Sequence, residues 1–363
     1  MYITFIKGNK QQITLDELYN NIISDPKSIT VKTNKENYAE PPTNLKTLLK
    51  RILTNTPQSL WNTPTDALYS TFHIPKRSGG TREISAPCEQ LKQFQTRFKD
   101  YLEQDCKILT HNAAHGYVKR RGTFTALKTH QSQNNNYFLK LDIKDFFPSC
   151  STEQIITQLQ KVYPLNILLK EEDYKEDFIK ALKLCTKNNA LPQGSPASPV
   201  LTNILMIPFD YELSTSLNKF NYTYTRYADD ILISHKDKWN FNKTVELIDT
   251  IFSKNNYNFS IKREKTRFGS KNGRNWNLGL MLNKDNDITI GHDKKQKFRA
   301  NIFQFANDLL TNNHKWSIIE TQELLGLISY YKMIEPDYVN YVINKYNRKF
   351  NTNIYNLIKE ILK

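Results

Sequence analysis

Apolar side chains recur at three- and four-residue intervals over Leu45, Leu48, Leu49, Ile52 and Leu53, the spacing that gathers them on one face of a helix. Leu15, Leu18 and Ile22 share that period, so residues 1–68, rich in Asn, Thr and Lys, are expected to form a helical extension. From Tyr69 the pattern changes. Residues 70–74 and 81–85 read as short strands, and Ser78-Gly79-Gly80 between them is a turn of the hairpin kind, giving a basic hairpin. Leu91, Phe94, Phe98 and Leu102 return to helical spacing within residues 89–107. The run 137–143 reads as a buried strand that ends in an acidic, aromatic turn from Asp142 to Pro148. Helices are expected over 152–163, 171–186 and 199–213. Two apolar or aromatic arms between 223 and 234 then flank Ala228-Asp229-Asp230, which predicts a hairpin with an acidic tip. A helix over 242–254, strands over 259–262 and 277–282, and helices over 294–310 and 317–331 complete the reading.

Composition narrows the partners. With 363 residues, two or three subdomains are expected. Hydrophobic residues at 39%, with 12% aromatics, exclude a wholly disordered chain, and 11 Gly with 14 Pro exclude a collagen-like one. The 51 Lys and Arg against 36 Asp and Glu leave a formal charge of +15. An excess of that size implies a polyanionic partner, nucleic acid ahead of an acidic membrane, because each phosphate neutralised releases condensed counterions. About half of the excess lies in residues 260–363, where 18 basic residues face 10 acidic ones, so this end is the expected duplex-holding surface. No apolar run of about 18 residues offers a membrane span, and residues 1–10 do not resemble a secretory signal. The expected place is the cytoplasm, and the expectation is no membrane partner. Cys88, Cys106, Cys150 and Cys185 stand too far apart for a zinc motif and are expected as reduced thiols.

The chemistry concentrates in three carboxylates. Asp229 and Asp230 are adjacent like charges between apolar arms that deny them cheap hydration, a pairing that persists when something cationic compensates it. A lone Asp-Asp pair is ordinarily a solvated turn; the flanking arms argue against that here. Asp142 closes a separate apolar strand, and a sheet could bring it beside the hairpin tip. The three would then offer oxygen ligands to two Mg²⁺ ions about 3.5–4 Å apart, with Mn²⁺ as a substitute. Such a pair activates an attacking hydroxyl and stabilises a pyrophosphate leaving group.

The segment Thr225-Arg-Tyr-Ala-Asp-Asp-Ile-Leu-Ile-Ser234 resembles the catalytic hairpin of reverse transcriptases. Leu139-Lys-Leu-Asp-Ile-Lys-Asp-Phe-Phe-Pro-Ser149 is similar to the palm strand carrying their first metal-binding aspartate, and Leu191-Pro-Gln-Gly-Ser-Pro-Ala-Ser-Pro199 to the segment lining their incoming nucleotide. The order and spacing match over residues 70–335. Within that family the likeness is greatest to the bacterial retron and defence-associated group, through Asn112–Tyr117 and through residues 288–300, which resemble the start of the retron thumb. Asn277-Leu-Gly279, where retron enzymes usually carry Val-Thr-Gly, departs toward the wider bacterial and intron-encoded pattern.

The resemblance implies roles residue by residue. Asp142 and Asp229 would be the main metal ligands, and Asp230 a weaker third. Phe147 would stand against the sugar and exclude a 2′-hydroxyl, with core packing beside Phe146 as the alternative. Lys76 and Arg82 would hold the triphosphate, and Gln193 would hydrogen-bond around the nucleotide. Lys265 matches the lysine proposed to protonate the leaving pyrophosphate; a solvated or phosphate-contacting lysine is the alternative. Lys294, Lys295, Lys297 and Arg299 would follow the template-primer backbone, unless they are an ordinary solvated helix face. The implied fold is α+β, a right-hand polymerase with fingers and a ferredoxin-like palm over 69–282 and a helical basic thumb over 283–363.

The implied function is RNA-directed DNA synthesis by two-metal nucleotidyl transfer, in which a structured noncoding RNA serves bacterial antiviral defence. The partners would be an RNA template, dNTPs and the DNA product, with an effector protein or a second copy of the chain open. Two rivals stand beside it: an untemplated or protein-primed DNA polymerase of the abortive-infection type, and a catalytically inactive nucleic-acid-binding protein.

Overall fold

The structure is a computed structural model and describes residues 44–76, 79–273, 276–312 and 315–363; the helix expected around Leu15–Ile22 lies outside the described residues. The chain divides into two compact units, one running to Gly122 and resuming over Leu139–Phe268, the other made of Thr123–Phe138 and Gly269–Lys363.

In the first unit, helix α1 (Leu45–Thr54) buries Leu45 and Leu49 in the main core, while α2 (Gln58–Asn62) buries Leu60. The strands β1 (Tyr69–Pro75) and β2 (Thr81–Pro87) pair antiparallel from Tyr69 opposite Pro87 to Pro75 opposite Thr81, as the turn residues predict. Helix α3 (Glu89–Asp100) buries Leu91, Phe94 and Phe98 and then widens into a π turn over Tyr101–Asp105. That is why the expected helix to residue 107 ends early. Its buried Gln95 ties three segments: the amide nitrogen donates to the Tyr69 hydroxyl at 2.7 Å and the Leu184 carbonyl at 2.8 Å, and the oxygen accepts from Ser195 at 2.8 Å.

The central sheet has the order β4-β5-β3-β6, with β3 at Tyr137–Asp142, β4 at Thr223–Tyr227, β5 at Asp230–His235 and β6 at Arg267–Ser270. Leu139, Leu141, Ile231 and Ile233 are fully buried, which accounts for the predominance of apolar residues in the middle strands, broken in β3 by Lys140. Helices α5 (Thr152–Leu159), α6 (Leu165–Leu168), α7 (Glu172–Lys183), α8 (Ser198–Leu205), α9 (Ile207–Asn218) and α10 (Phe241–Lys254) complete the unit. The single helix expected over 199–213 is two. The break at Met206 precedes Pro208, which lacks an N–H to donate and disfavours helical backbone in the residue before it. Residues 259–262 do not form a strand; Ile261 makes one isolated bridge to Ile143.

The second unit combines α4 (Thr123–Ser132) with a small sheet β7-β8-β9 (Trp276–Asn277, Leu280–Leu282, Ile288–Thr289) and helices α11 (His292–Leu310), α12 (Ile318–Ile334), α13 (Pro336–Phe350) and α14 (Ile354–Ile361). It begins earlier than the expected boundary at 283 and draws in residues 123–138. Edge-to-face contact between Phe298 and Tyr331, with ring centroids 5.4 Å apart, joins α11 to α12. Among the described residues no helix is long and apolar enough to cross a membrane.

One ion pair is sealed inside the first unit. The Arg226 guanidinium donates through Nε to Asp210 Oδ1 at 2.9 Å and through Nη2 to Oδ2 at 2.7 Å, and both side chains are fully buried. Tyr224 donates to the same carboxylate at 2.7 Å. A bidentate pair with its remaining lone pairs used is the geometry in which a buried salt bridge recovers its desolvation cost. Replacing Arg226 by Met should therefore leave Asp210 stranded and cost about 3–5 kcal/mol in urea unfolding. The double change Arg226→Met with Asp210→Leu should restore much of that. A single variant as stable as the parent would overturn this account.

Candidate active site

The hairpin β4–β5 turns through Ala228 and Asp229, between the paired residues Tyr227 and Asp230. Ala228 adopts φ +54°, a left-handed conformation that alanine enters at a cost, so neighbouring groups must hold it. Arg226 Nη1 donates to the Ala228 carbonyl at 3.1 Å. On the other side the loop Ala113–Gly116 runs alongside β4, with Arg226 N donating to Ala113 O and His115 N to Arg226 O, both at 2.7 Å. Gly116 is required there, because a Cβ would lie 2.5 Å from the Ala228 nitrogen. Its carbonyl accepts from Asn203 Nδ2 at 2.9 Å.

The tip is joined to β3 by one backbone bond, Ile143 N to Asp229 O at 3.0 Å, which sets Asp142 beside the hairpin. The Asp142 carbonyl accepts from Lys262 N at 2.8 Å, and its carboxylate lies 3.5 Å from Lys265 Nζ, on the short 3-10 turn Arg263–Lys265. Asp230 pairs instead with Lys140 at 2.9 Å. Burial, then the charge of Asp230 and, more weakly, of Asp142, pushes the Asp229 carboxyl up to about 6, while Arg82 pulls the other way. Burial also raises Asp230, against the opposing pull of Lys140. The acids thus stand within electrostatic range of one another. They are not gathered into a finished ligand set: among the described residues no cluster of three or more His, Cys, Asp or Glu side chains is close enough to hold an ion, and Asp142 and Asp230 each face a lysine. Carboxylate oxygens with uncompensated charge nonetheless fit a hard divalent cation such as Mg²⁺ or Mn²⁺.

The residues expected around a nucleotide divide by position. Arg82, on the exposed part of β2, is near enough to Asp229 for its charge to be felt there. Lys76 is exposed at the end of β1, its N–H bonded to Gly80 O at 2.9 Å. The Gln193 segment is clasped to β2 by Ser85 N donating to Gln193 O at 2.7 Å. Gly194 follows at φ +121°, where a Cβ would meet Ser85 O at 2.7 Å. The Gln193 side-chain oxygen is buried with no hydrogen-bond partner among the described residues. Of the two phenylalanines after Asp142, Phe146 is 3% exposed and packs on Phe259 at 5.3 Å. Phe147 is only partly buried and meets the Tyr117 ring edge-to-face at 6.2 Å.

Sequence reasoning assigned no role to Lys140, to Asp210, to the structural part of Arg226, or to Gly116 and Tyr117, although the last two lie in the segment Asn112–Tyr117 that carries part of the resemblance. Two signals were present. Lys140 stands two positions before Asp142 in a strand and so shares its face, and an arginine inside an apolar arm must have a buried acid. In the second unit, Lys294 donates to the Gly279 carbonyl. Lys295 pairs with Glu335 at 2.5 Å and sits 4.9 Å over the Tyr338 ring. Lys297 is exposed and Arg299 half-buried. The four cations are therefore not equivalent, and two already have partners within their own unit.

Comparison with known proteins places these segments together. The family described as reverse transcriptase (RNA-dependent DNA polymerase) matches residues 74–310. The retron Mx65 reverse transcriptase of Myxococcus xanthus is 30% identical over 74% of this chain and 62% of its own length. The retron Ec83 and Ec73 reverse transcriptases of Escherichia coli are 28% and 29% identical, each over 77% of this chain and 86% of their own. The aligned part is thus under two thirds of the Mx65 enzyme's length.

The raised Asp229 carboxyl has a consequence for stability. Its folded-state value, about 6, lies above the ordinary 3.8 that holds when the chain unfolds. Ionisation is therefore penalised in the fold: the penalty is absent below pH of about 4, grows to pH of about 6 and is constant above. Asp229→Asn should accordingly stabilise the ion-free protein at pH 7.5, by about 1–3 kcal/mol, and not at pH 4. Urea unfolding without divalent ions at the two pH values checks this. Equal shifts at both would refute it.

Proposed function

The chain belongs to the reverse transcriptase family, and from that premise we propose that it is an RNA-directed DNA polymerase of the retron type. The observation that carries this most directly is the bond from Ile143 N to Asp229 O, which brings Asp142 to the acidic hairpin tip on a rigid sheet.

The roles then follow from chemistry. Asp142 and Asp229 would hold two divalent cations, with Asp230 as a weaker third ligand. Bound there, such ions lower the pKa of a primer 3′-hydroxyl and neutralise charge on the transferring phosphate. Arg82 and Lys76 would take the triphosphate, since a planar guanidinium and an ammonium both match phosphate oxygens. Gln193, whose buried side-chain oxygen has no partner among the described residues, would accept a hydrogen bond at the nucleotide. Lys265, 3.5 Å from Asp142, would move to the leaving pyrophosphate and give it a proton. Phe147 would stand against the sugar. In the second unit, Lys297 and Arg299 would contact nucleic-acid backbone more readily than Lys294 and Lys295, whose bonds to Gly279 and Glu335 would first have to break.

The retron names of the relatives support the retron type; the setting we propose beyond it is cytoplasmic, with a structured noncoding RNA as template and a role in antiviral defence. Untemplated synthesis and an inactive binding protein are the rivals. Extension of a DNA primer by the purified protein with Mg²⁺ and dNTPs, with and without template RNA, separates them. Extension should require the template, and Asp142→Ala should abolish it while the folded protein persists, because lost charge neutralisation at the phosphate is worth several kcal/mol. Template-independent extension would favour the first rival; no extension, or extension surviving in Asp142→Ala, would overturn the proposal.

A further inference from the structure

Tyr117 stands out among the residues beside the hairpin. It is 46% exposed, so core packing does not account for it. Its backbone is left-handed at φ +59°, a conformation in which a bulky residue is strained and glycine would not be. The strain is held from both sides: Gly116 before it is wedged against Ala228 and bonded to Asn203, and His115 is hydrogen-bonded to Arg226. Strained residues kept in place by an over-determined surround cluster at functional sites. The ring lies edge-to-face against Phe147 at 6.2 Å, while the other neighbour of Phe147, the Phe146 ring at 5.7 Å, is locked in the core. Asp229, Tyr227 and Arg82 are the charged or titratable groups close enough to act on the phenol.

We infer that Tyr117 is a positioning residue for sugar selection: it fixes the orientation of the Phe147 ring from its solvent-facing side. The inference rests on the reading of Phe147 as the residue against the sugar. Phe147 is held on its inner side by the core and on its outer side by Tyr117. With the Tyr117 ring removed, the outer side opens, Phe147 can rotate away, and the space that would exclude a 2′-hydroxyl relaxes. The ring is what matters in this account, since an edge-to-face contact needs no hydroxyl.

The test measures kcat/KM for a deoxynucleotide and the matching ribonucleotide in the intact protein for Phe147→Ala, Tyr117→Phe and Tyr117→Gly. Tyr117→Phe should preserve the parental ratio. Tyr117→Gly should lower discrimination by about tenfold, the scale on which a pocket resolves one small group. The gain should fall mainly on the ribonucleotide KM, with deoxynucleotide kcat little changed. Glycine relieves the backbone strain and so offsets the lost ring contact; thermal unfolding of Tyr117→Gly should stay close to that of the parent, which separates loss of selection from loss of fold. If Phe147→Ala relaxes selection and Tyr117→Gly does not, this inference is overturned and the sugar role of Phe147 stands. If Phe147→Ala leaves selection unchanged, the underlying reading fails instead. A loss of discrimination in Tyr117→Phe would move the role from the ring to the hydroxyl and overturn the inference as stated.

Discussion

The geometry of the acidic hairpin tip hangs on an arginine that is itself fully buried. Arg226 spends two of its donors on Asp210 and one on the Ala228 carbonyl, so a single buried guanidinium links helix α9, strand β4 and the left-handed residue at the hairpin tip. A lysine could not do this, because its three donors share one point and lack the planar fork. The main chain of Arg226 adds bonds to Ala113 and His115 on the neighbouring loop. Remove the side chain and the tip loses its internal support while an acid is left buried and unpaired. The position of Asp229 is therefore set by packing chemistry well behind the reacting face.

Around that anchor the charges are distributed unevenly. Lys265 faces Asp142 and Lys140 faces Asp230, whereas the Asp229 carboxyl, buried and crowded by the other two, is driven toward neutrality. An acid so placed costs stability in the bare protein, and on the proposed reading a bound cation would offset that cost, the exchange of stability for function common at active sites. The two lysines differ in what they can do next. Lys140 rises from a strand and its ion pair is mostly shielded. Lys265 is about half exposed on a short turn and its contact with Asp142 is longer, so an ion that took Asp142 would free Lys265 at little cost.

Legibility in the sequence followed how local each cause is. The hairpin tip, β3, the β1–β2 ribbon and most helices could be read because period and turn residues are local signals. That Asp142 and the Asp229-Asp230 tip stand within electrostatic range could be expected, because adjacent acids between apolar arms and an acid closing a neighbouring apolar strand suit one sheet. What could not be read depends on partners far along the chain. Arg226 and Asp210 are sixteen residues apart and meet only in the folded core. Gly116 matters because of Ala228. The bonds that occupy Lys294 and Lys295 come from the Gly279 carbonyl and the Glu335 carboxylate, so a cluster of like charges in one helix conceals members that are already engaged. That residues 123–138 group with the second compact unit could not be read for the same reason, since they join it from a distance along the chain.

The two glycines at close approaches show how the site divides rigid from movable parts. Gly116 lets one loop seat its backbone against the hairpin tip, and Gly194 lets the Gln193 segment seat its backbone against β2; in each case a single methyl group would collide with main chain at under 3 Å. Main chain against main chain leaves no rotamer to adjust, so one seam fixes the backbone of the hairpin tip against the Gly116 loop and the other fixes the Gln193 backbone against β2. The groups left free to respond are long side chains on the surface, Lys76, Arg82 and Lys265. On the proposed reading such a division would suit phosphoryl transfer, where catalysis is chiefly a matter of positioned charge: the carboxylates are set in the sheet, and the cations that would follow a triphosphate are carried on long side chains.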